Sequence, residues 1–192
     1  RGQPTSDFYV GYSPYITPYE YNLDKAKQLL HEAGWGGGFD VDLVFPAGYY
    51  VKGKELSEAL AGELYKVGVN VTVKSLEFRP WIRHISGNKP GIIAHGTNVP
   101  PDAHFLVSPF LPGGYFTYWE NKEFETLVAK AANEVNPDVR QKLYHDAFMI
   151  MRDEASKIFL WQVINVYAVD SRLTGVQLWP DERVLLASAQ YE

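Results

Sequence analysis

The sequence contains no cysteine among its 192 residues, which excludes disulfide bonds and thiolate chemistry. It has no uninterrupted run of about 18 apolar residues, the length that a membrane-spanning helix needs. Blocks of like charge do not occur, and 23 Asp and Glu residues outnumber 18 Lys and Arg residues, so the basic stripe of a nucleic-acid-binding protein is absent. A Gly-x-Ser-x-Gly motif is also absent, which leaves a hydrolase possible but without a motif in its support.

Aromatic residues, by contrast, are abundant. They make up 15% of the chain, with 13 Tyr and 5 Trp. Because Tyr and Trp combine a large apolar face with a polar tip, they serve ligand pockets as well as cores. The composition therefore favours a globular protein with a binding surface.

The first half of the chain alternates between strand and helix patterns. Period-2 alternation predicts strands at 40–45 and 69–74, with a helix between them at 54–67. A strand, a helix and a strand in this order predict a βαβ unit with parallel strands and a right-handed crossover. A short helix near 80–86 and a strand near 91–94 continue the alternation.

The second half is predicted to be mainly helical. Asn121 is a candidate N-cap for one helix, and Asn136-Pro137 is a strong start signal for a longer helix that ends near residue 154. Residues 158–169 (IFLWQVINVYAV) form a long β-rich run. Three basic residues are assigned to the solvated face of the long helix: Arg140, Lys142 and Arg152.

The two ends of the chain show no core of their own. Residues 1–21 read as an irregular arm, and residues 173–192 form a tail with mixed signals. We therefore predict one α/β domain over residues 1–192, built on a mostly parallel open sheet flanked by helices.

Ligands of open α/β sheets bind beyond the carboxyl ends of the parallel strands. The loops at 46–50, 77–81 and 95–104, together with a loop at 113–117, are predicted to converge at that edge. The alternative is that their aromatic residues only cap the core. The candidate ligand-binding residues are Tyr49, Tyr50, Phe78, Trp81, His95, Thr97, Asn98, Asp102, His104, Tyr115 and Phe116.

The stretch AHGTNVPPDAHFL (94–106) could suggest a metal site, since it carries His95, Asp102 and His104. Their spacing matches no zinc motif, and hydrogen bonding within a loop explains these residues better. Gly36-Gly37-Gly38 is a flexible turn, because no Gly-Lys-Ser/Thr follows it. We expect no metal, no cofactor and no catalytic residue.

Several stretches resemble the family 5 extracellular solute-binding proteins, the dipeptide-, oligopeptide- and nickel-type receptors of ABC importers. YNLDKAKQLLHEAGW (21–35) is similar to the family's Y-D-P-x-K-A-K-x-L-L-x-E-A-G-Y pattern. ELSEALAGELYKVGVNVTVKSLEF (55–78) resembles its helix, G-I-x-V turn and strand. The run from 120 to 162 resembles its N-x-E-x-D-x-L-x-x-x-A, D-x-x-x-R-x-x-x-Y and E-x-A-P-x-I-x-L segments.

This resemblance implies a bilobed receptor of the type II periplasmic-binding-protein fold, of which the chain would form the C-terminal lobe. The arm at 1–21 and the tail at 173–192 would run to a missing N-terminal lobe. It further implies a periplasmic or extracellular protein that captures a small solute in a cleft between lobes and associates with a membrane permease. A chaperone-like or signalling module that binds extended segments is a further alternative.

The resemblance also bears on the solute. The stretch from His95 to Asp102 aligns with the family's W-x-A-D-Y-P-D-P segment, whose first Asp is similar to a clamp for a peptide's α-ammonium. Here Asn98 occupies that position and supplies no charge, although Asp102 could replace the charge if it turned inward. Phe78 keeps an aromatic that in the family often packs on the ligand. A peptide-like solute is the family default, and a neutral oligosaccharide or an opine-like sugar conjugate is the competing expectation.

Overall fold

The computed structural model describes residues 1–87, 91–96, 99–116, 118–179 and 181–192. The chain divides into two compact units, each assembled from segments that are separate in the sequence. The sheet unit consists of Glu20–Gly96 and Pro112–Tyr118. The helical unit consists of Arg1–Tyr19, Thr97–Leu111 and Trp119–Glu192. The single lobe predicted over residues 1–192 thus has an internal division that hydrophobic periodicity does not reveal.

The sheet unit alternates helices and strands as predicted. Its elements are α1 (Leu23–Glu32), β1 (Phe39–Pro46), α2 (Gly53–Tyr65), β2 (Val69–Leu76), α3 (Phe78–Ser86) and β3 (Ile92–Ile93). The Asn22 side chain caps α1 by accepting a hydrogen bond of 2.8 Å from the Lys25 N–H. Gly34 follows the end of α1 with φ +82°, a conformation that glycine adopts without a steric penalty.

The three strands form a parallel sheet in the order β2-β1-β3. Phe39 pairs with Val69 at the start of β1, and Leu43 pairs with Ile92. Because β1 lies between two neighbours, its second half is buried, and Leu43, Val44 and Phe45 form the core of the unit. The predicted α/β class and the parallel βαβ unit are confirmed.

The helical unit contains α4 (Ala103–Val107), a 3₁₀ turn (Ser108–Phe110), α5 (Lys122–Asn133) and α6 (Pro137–Asp153). Asn121 and Asn136 cap α5 and α6 as predicted, each through its side-chain oxygen. Seven fully buried side chains fill the space between α5 and α6: Phe124, Val128, Ala131, Tyr144, Ala147, Phe148 and Met151. None of the helices in the described ranges combines the length and the hydropathy needed to cross a lipid bilayer.

The tail folds into two small antiparallel pairs. Strand β4 (Leu173–Thr174) pairs with β7 (Gln190–Tyr191), and β5 (Gln177–Leu178) pairs with β6 (Val184–Leu185). Most of the large apolar side chains in these strands remain exposed, including Leu178, Val184, Leu185 and Tyr191. The tail therefore has local order but no core of its own.

The β-rich run at 158–169 does not form the strand that its composition predicts. In the described part of the chain these residues belong to no helix or strand, and most of their large apolar side chains are exposed. β propensity expresses how well a side chain packs on a pleated, half-buried surface, so it needs a neighbouring strand to take effect. Nothing in the described ranges supplies that neighbour, which explains the wrong prediction.

Candidate functional site

The residues that follow the three parallel strands lie at one edge of the sheet unit. Strand β1 ends at Pro46, β2 at Leu76 and β3 at Ile93, and parallel strands place their carboxyl ends at the same edge. The loop after β1 carries Tyr49 and Tyr50, and α3 begins directly after β2. This topology brings aromatic residues from distant parts of the sequence together.

Five rings form a continuous series at this edge, which we call the aromatic row: Tyr49, Phe78, Trp81, His95 and Phe116. Tyr49 stacks on Phe78 with a centroid distance of 4.6 Å and an interplanar angle of 15°. Phe78 stacks on Trp81 at 5.9 Å, and Trp81 stacks on His95 at 5.8 Å. Phe116 meets His95 edge-on at 5.0 Å. Offset stacking and edge contacts of this kind are the favourable arrangements of aromatic rings.

The aromatic row is exposed at one end and buried within. Tyr49 is 57% exposed and Phe78 is 40% exposed, whereas Trp81 and Phe116 are only 2% and 3% exposed. The buried rings hold the exposed pair in place, and this support presents a preorganised planar surface to solvent. The indole Nε1 of Trp81 is buried and finds no hydrogen-bond acceptor within the described ranges, which is uncommon for a buried donor.

Tyr50 ties two of the edge loops together. Its hydroxyl donates a hydrogen bond of 3.0 Å to the Gly96 carbonyl, and its ring meets Tyr49 edge-on at 5.0 Å. Burial raises the pKa of Tyr50, so the phenol remains protonated and keeps its role as donor. A Cβ at Gly96 would lie 3.1 Å from the Tyr50 ring, which favours glycine at this close approach.

Asp102 and His104 lie in the helical unit, and the hydrogen-bond partners of the Asp102 carboxylate belong to that same unit. The Asp102 carboxylate caps α4 by accepting the His104 N–H at 2.9 Å, and it also pairs with Arg140 at 2.8 Å and 3.0 Å. Desolvation acts to raise the pKa of Asp102, but the hydrogen bonds from Arg140 and the His104 N–H outweigh it and hold that pKa below its ordinary value. A ligand contact of Asp102 or His104 stays a prediction.

The remaining predicted site residues are Thr97, Asn98 and Tyr115. Thr97 and Asn98 lie outside the described residues, so their predicted contacts stay predictions. Tyr115 is exposed beside Phe116 in the sequence but has no part in the aromatic row. No group of three or more His, Asp and Glu side chains within the described ranges is placed to hold a metal ion.

Tyr118 is a neighbour of the aromatic row that the sequence analysis missed. Its ring meets Phe116 at 6.1 Å, and nearly half of its surface is exposed. The i, i+2 spacing from Phe116 would place both side chains on one side of an extended segment, and this was the available signal. Arg140 and Arg152 were also misjudged, because their side chains are only 19% and 21% exposed and do not belong to a solvated face, whereas that of Lys142 is exposed as predicted.

Known proteins share both the sequence pattern and the fold. The chain is 27% identical over 160 residues to the dipeptide-binding protein of Escherichia coli (strain K12). The aligned region covers 78% of this chain and 30% of the Escherichia coli protein. The chain also matches the solved structure of HbpA2 from Haemophilus parasuis, with a TM-score of 0.81 at 20% identity. The superposed region covers all of this chain and 40% of the HbpA2 chain. The structure of AgaA from A. tumefaciens R10 in complex with agropinic acid matches with a TM-score of 0.71 at 24% identity. This match covers 80% of the present chain and 33% of the AgaA chain.

The chain thus spans between 30% and 40% of the length of these three proteins. The structural likeness shows that the chain shares the fold of these solved structures. Residues 2–118 match the family model described as bacterial extracellular solute-binding proteins, family 5 middle, which is more than half of the chain. The chain belongs to the family 5 bacterial extracellular solute-binding proteins.

Proposed function

We propose that this chain contributes one wall of the binding site in the receptor of an ABC importer, where the aromatic row packs against a small solute. One observation carries the proposal. The row lies at the carboxyl edge of a parallel sheet and is open to solvent at Tyr49 and Phe78. Ligands of α/β sheets bind at this edge, and pockets for small molecules are lined mainly by aromatic and apolar side chains.

The proposed role is binding without catalysis. Family membership supports it, and the Escherichia coli relative is named as a binding protein. The exposed rings of the aromatic row offer contact area, whereas turnover would need a positioned acid, base or nucleophile. A hydrolase is the less favoured alternative, and it would show itself as consumption of the bound solute.

The place of action follows from the same family. An importer receptor works outside the cytoplasmic membrane, in the periplasm or at the cell exterior, and passes its solute to the membrane permease. The partners of this chain would then be the solute, the permease and the parts of the receptor that this sequence does not include. Those parts would cover the open end of the aromatic row.

A peptide-like solute is the leading candidate, because the Escherichia coli relative is named for dipeptides. A neutral oligosaccharide or an opine-like sugar conjugate is the second candidate. Two observations favour it: Asn98 supplies no charge at the predicted ammonium clamp, and the matched AgaA structure contains agropinic acid. The exposed faces of Tyr49 and Phe78 suit either class, since they present planar apolar surface.

Isothermal titration calorimetry on the intact protein that contains this chain would test the proposal. The probes are the dipeptide Ala-Phe, its N-acetylated form and agropinic acid, and one of them is expected to bind 1:1. The chain alone should bind the same probe no more tightly than about millimolar, because half of an enclosing cleft leaves most of the solute in water. The proposal fails if none of the probes binds the intact protein or if the bound probe is consumed.

A further inference from the structure

The ring contacts of the aromatic row continue beyond Phe116 to Tyr118. The Tyr118 ring meets Phe116 at 6.1 Å with an interplanar angle of 64°, and Phe116 in turn meets His95 edge-on at 5.0 Å. All three residues belong to the sheet unit, as do Tyr49 and Phe78 at the other end of the row. The extended row therefore lies within one compact unit and has two ends.

Exposed and buried rings alternate between these two ends. Phe78, His95 and Tyr118 are exposed, whereas Trp81 and Phe116 are buried. Trp81 lies in stacking contact with both Phe78 and His95, and Phe116 contacts both His95 and Tyr118. Among the described rings, Phe78 and Tyr118 share no contact of their own and are joined only through the rings between them. The two ends thus present separate surfaces to solvent, each held in place by a buried ring.

The Tyr118 hydroxyl is a hydrogen-bonding group that the described residues leave unused. It has no hydrogen-bond partner among them, whereas the Tyr50 hydroxyl nearby in the same unit donates to the Gly96 carbonyl at 3.0 Å. Burial raises the pKa of the Tyr118 phenol, so the hydroxyl keeps its proton at neutral pH and can donate it. A ring that is 47% exposed and carries an unused donor suits a contact that is partly apolar and partly polar.

Packing within the sheet unit accounts poorly for this side chain. A single exposed aromatic residue is common on protein surfaces and by itself marks no site. Tyr118 differs because ring contacts connect it to the surface where we propose that the solute binds. A phenylalanine would make the same contact with Phe116, so the hydroxyl adds nothing to the described packing.

We infer that Tyr118 and His95 form a second subsite for the solute at the far end of the aromatic row, where the Tyr118 hydroxyl donates a hydrogen bond to an oxygen of the solute. The inference rests on the proposed function and deepens it. It requires a solute with two parts, namely an apolar or planar group for Tyr49 and Phe78 and an oxygen acceptor that reaches Tyr118. Peptides and opine-like conjugates both carry such oxygens, so the probes of the proposed function also serve here.

Tyr65 supplies a matched control in the same unit. It lies at the end of α2, is 71% exposed and has no ring contact among the described residues. Tyr65→Phe and Tyr65→Ala therefore make the same chemical changes as Tyr118→Phe and Tyr118→Ala at a site outside the extended row.

Calorimetry on the intact protein tests the second subsite with whichever of Ala-Phe, its N-acetylated form and agropinic acid binds the wild type. Tyr118→Phe should lower the affinity between about 2-fold and 12-fold, which corresponds to the loss of one net hydrogen bond, and should leave the urea midpoint of unfolding unchanged. Tyr118→Ala also removes the ring and should lower the affinity by about 10-fold or more. Both Tyr65 variants should stay within about 2-fold of the wild type.

Hydroxyl-radical footprinting of the intact protein provides a second measurement. Saturation with the bound probe should protect Tyr118 as well as Tyr49 and leave the labelling of Tyr65 unchanged. Unchanged affinity in Tyr118→Phe overturns the inference, and so does unchanged labelling of Tyr118.

The same experiments separate this inference from the proposed function. If Phe78→Ala weakens binding and Tyr118→Phe does not, the solute uses only the first end of the row, so the inference fails and the proposed function stands. If no probe binds the wild type, or if the probe protects neither Tyr49 nor Phe78, the proposed function fails and the second subsite fails with it.

Discussion

Tyr49 and Phe78 stack with ring centroids 4.6 Å apart and planes 15° apart, although they follow different strands of the sheet. Both rings are substantially exposed, so the pair contributes little to the core and a large planar face to the surface. An exposed aromatic pair on a rigid base is a common feature of ligand sites, because its rings lose little entropy on binding.

Substitution of either exposed ring by alanine is expected to weaken solute binding more than stability. Phe78→Ala removes a stacking partner, and such pairs contribute about 0.5–1.5 kcal/mol beyond the area they bury. We expect affinity for the bound probe to fall roughly tenfold, with a smaller change in the free energy of unfolding. Calorimetry and urea unfolding of the intact protein measure both.

Tyr65→Ala is the matched control for this substitution. Tyr65 is an exposed tyrosine at the end of α2 in the same unit, and it has no part in the aromatic row. Its removal should leave affinity unchanged. Equal affinities for wild type, Phe78→Ala and Tyr65→Ala would show that the row is not a binding surface.

Gly11 occupies a position where both backbone conformation and space exclude a side chain. Its φ is +99°, and a Cβ there would lie 2.6 Å from the Ala103 Cβ and 3.1 Å from Tyr144. Gly11→Ala should therefore lower the free energy of unfolding by about 2–5 kcal/mol, the sum of conformational strain and overpacking. Urea unfolding monitored by circular dichroism gives this value.

Gly34→Ala separates the two causes. Gly34 has a similar φ of +82°, but a Cβ there would meet nothing within 4 Å. This variant should lose only about 1–2 kcal/mol, which is the strain contribution. Similar losses in both variants would mean that the contact of Gly11 with Ala103 and Tyr144 adds nothing.

Lys157 should make stability depend on pH in the neutral to alkaline range. Its ammonium lies 3.9 Å from the centroid of the Phe110 ring, and burial lowers its pKa to about 7. The ordinary pKa of lysine, about 10.4, applies to the unfolded chain. Between these values the unfolded state binds more protons than the folded state, so stability rises with pH from about 7 to about 10 and is flat below 7 with respect to this group.

Lys157→Met should remove this dependence. The difference in unfolding free energy between wild type and variant is expected to change by up to about 1.4 kcal/mol per pH unit between pH 7 and 10. Lys130→Met, at an exposed position on α5, is the control and should show no such trend. A constant difference across this pH range for Lys157→Met would refute the depressed pKa.

The sequence predicted the sheet and its edge well because both depend on local patterns. Alternating residues mark β1 and β2, helical spacing marks α2, and the order of elements then fixes parallel strands and the edge where their loops meet. This reasoning predicted that Tyr49, Phe78, Trp81, His95 and Phe116 lie at this edge, as their ring contacts show, and their contact with a ligand stays a prediction. The stacking order of the rings could not be predicted, because it depends on side-chain packing between loops far apart in the sequence.

Long-range partners account for what the sequence missed. Arg140 has the spacing of an exposed helical residue, and nothing local indicates that its acid partner is Asp102. The run at 158–169 has strand composition, but a strand also requires an adjacent strand. In both cases the residue types were read correctly and the partner was unknown.

Asn98→Asp in the intact protein tests the class of solute. If position 98 clamps an α-ammonium, the variant should bind a dipeptide with a free amino group more tightly by about 1–3 kcal/mol, the contribution of a charge-assisted hydrogen bond. Neutral solutes should bind equally or more weakly, since a buried carboxylate without a cation carries a desolvation cost.

The readout is the ratio of dissociation constants for Ala-Phe and its N-acetylated form. This ratio should shift in favour of the free amine in Asn98→Asp and stay constant in Asn133→Asp, which places the same change at an exposed residue of α5. The same ratio in wild type and Asn98→Asp would eliminate the clamp and leave Asn98 as a turn residue that bonds to nearby backbone.

The exposed run at 158–169 contains Val166, and we expect Val166→Lys to affect the free energy of unfolding differently in the chain alone and in the intact protein. Val166 is 89% exposed, and Ile164 and Val163 beside it are also exposed, so the run has apolar surface on both sides. Surface of this kind marks an interface or an aggregation site. In the chain alone, Val166→Lys should change the unfolding free energy by less than about 0.5 kcal/mol and reduce self-association, measured by sedimentation velocity. In the intact protein the same lysine should lower the free energy of unfolding by about 2 kcal/mol or more, because the parts of the receptor outside this chain would bury it.

Val135→Lys is the control, since Val135 is 94% exposed in the connection between α5 and α6 and should tolerate lysine both in the chain alone and in the intact protein. If the intact protein tolerates lysine at 166 as well as at 135, the rest of the receptor does not cover this run.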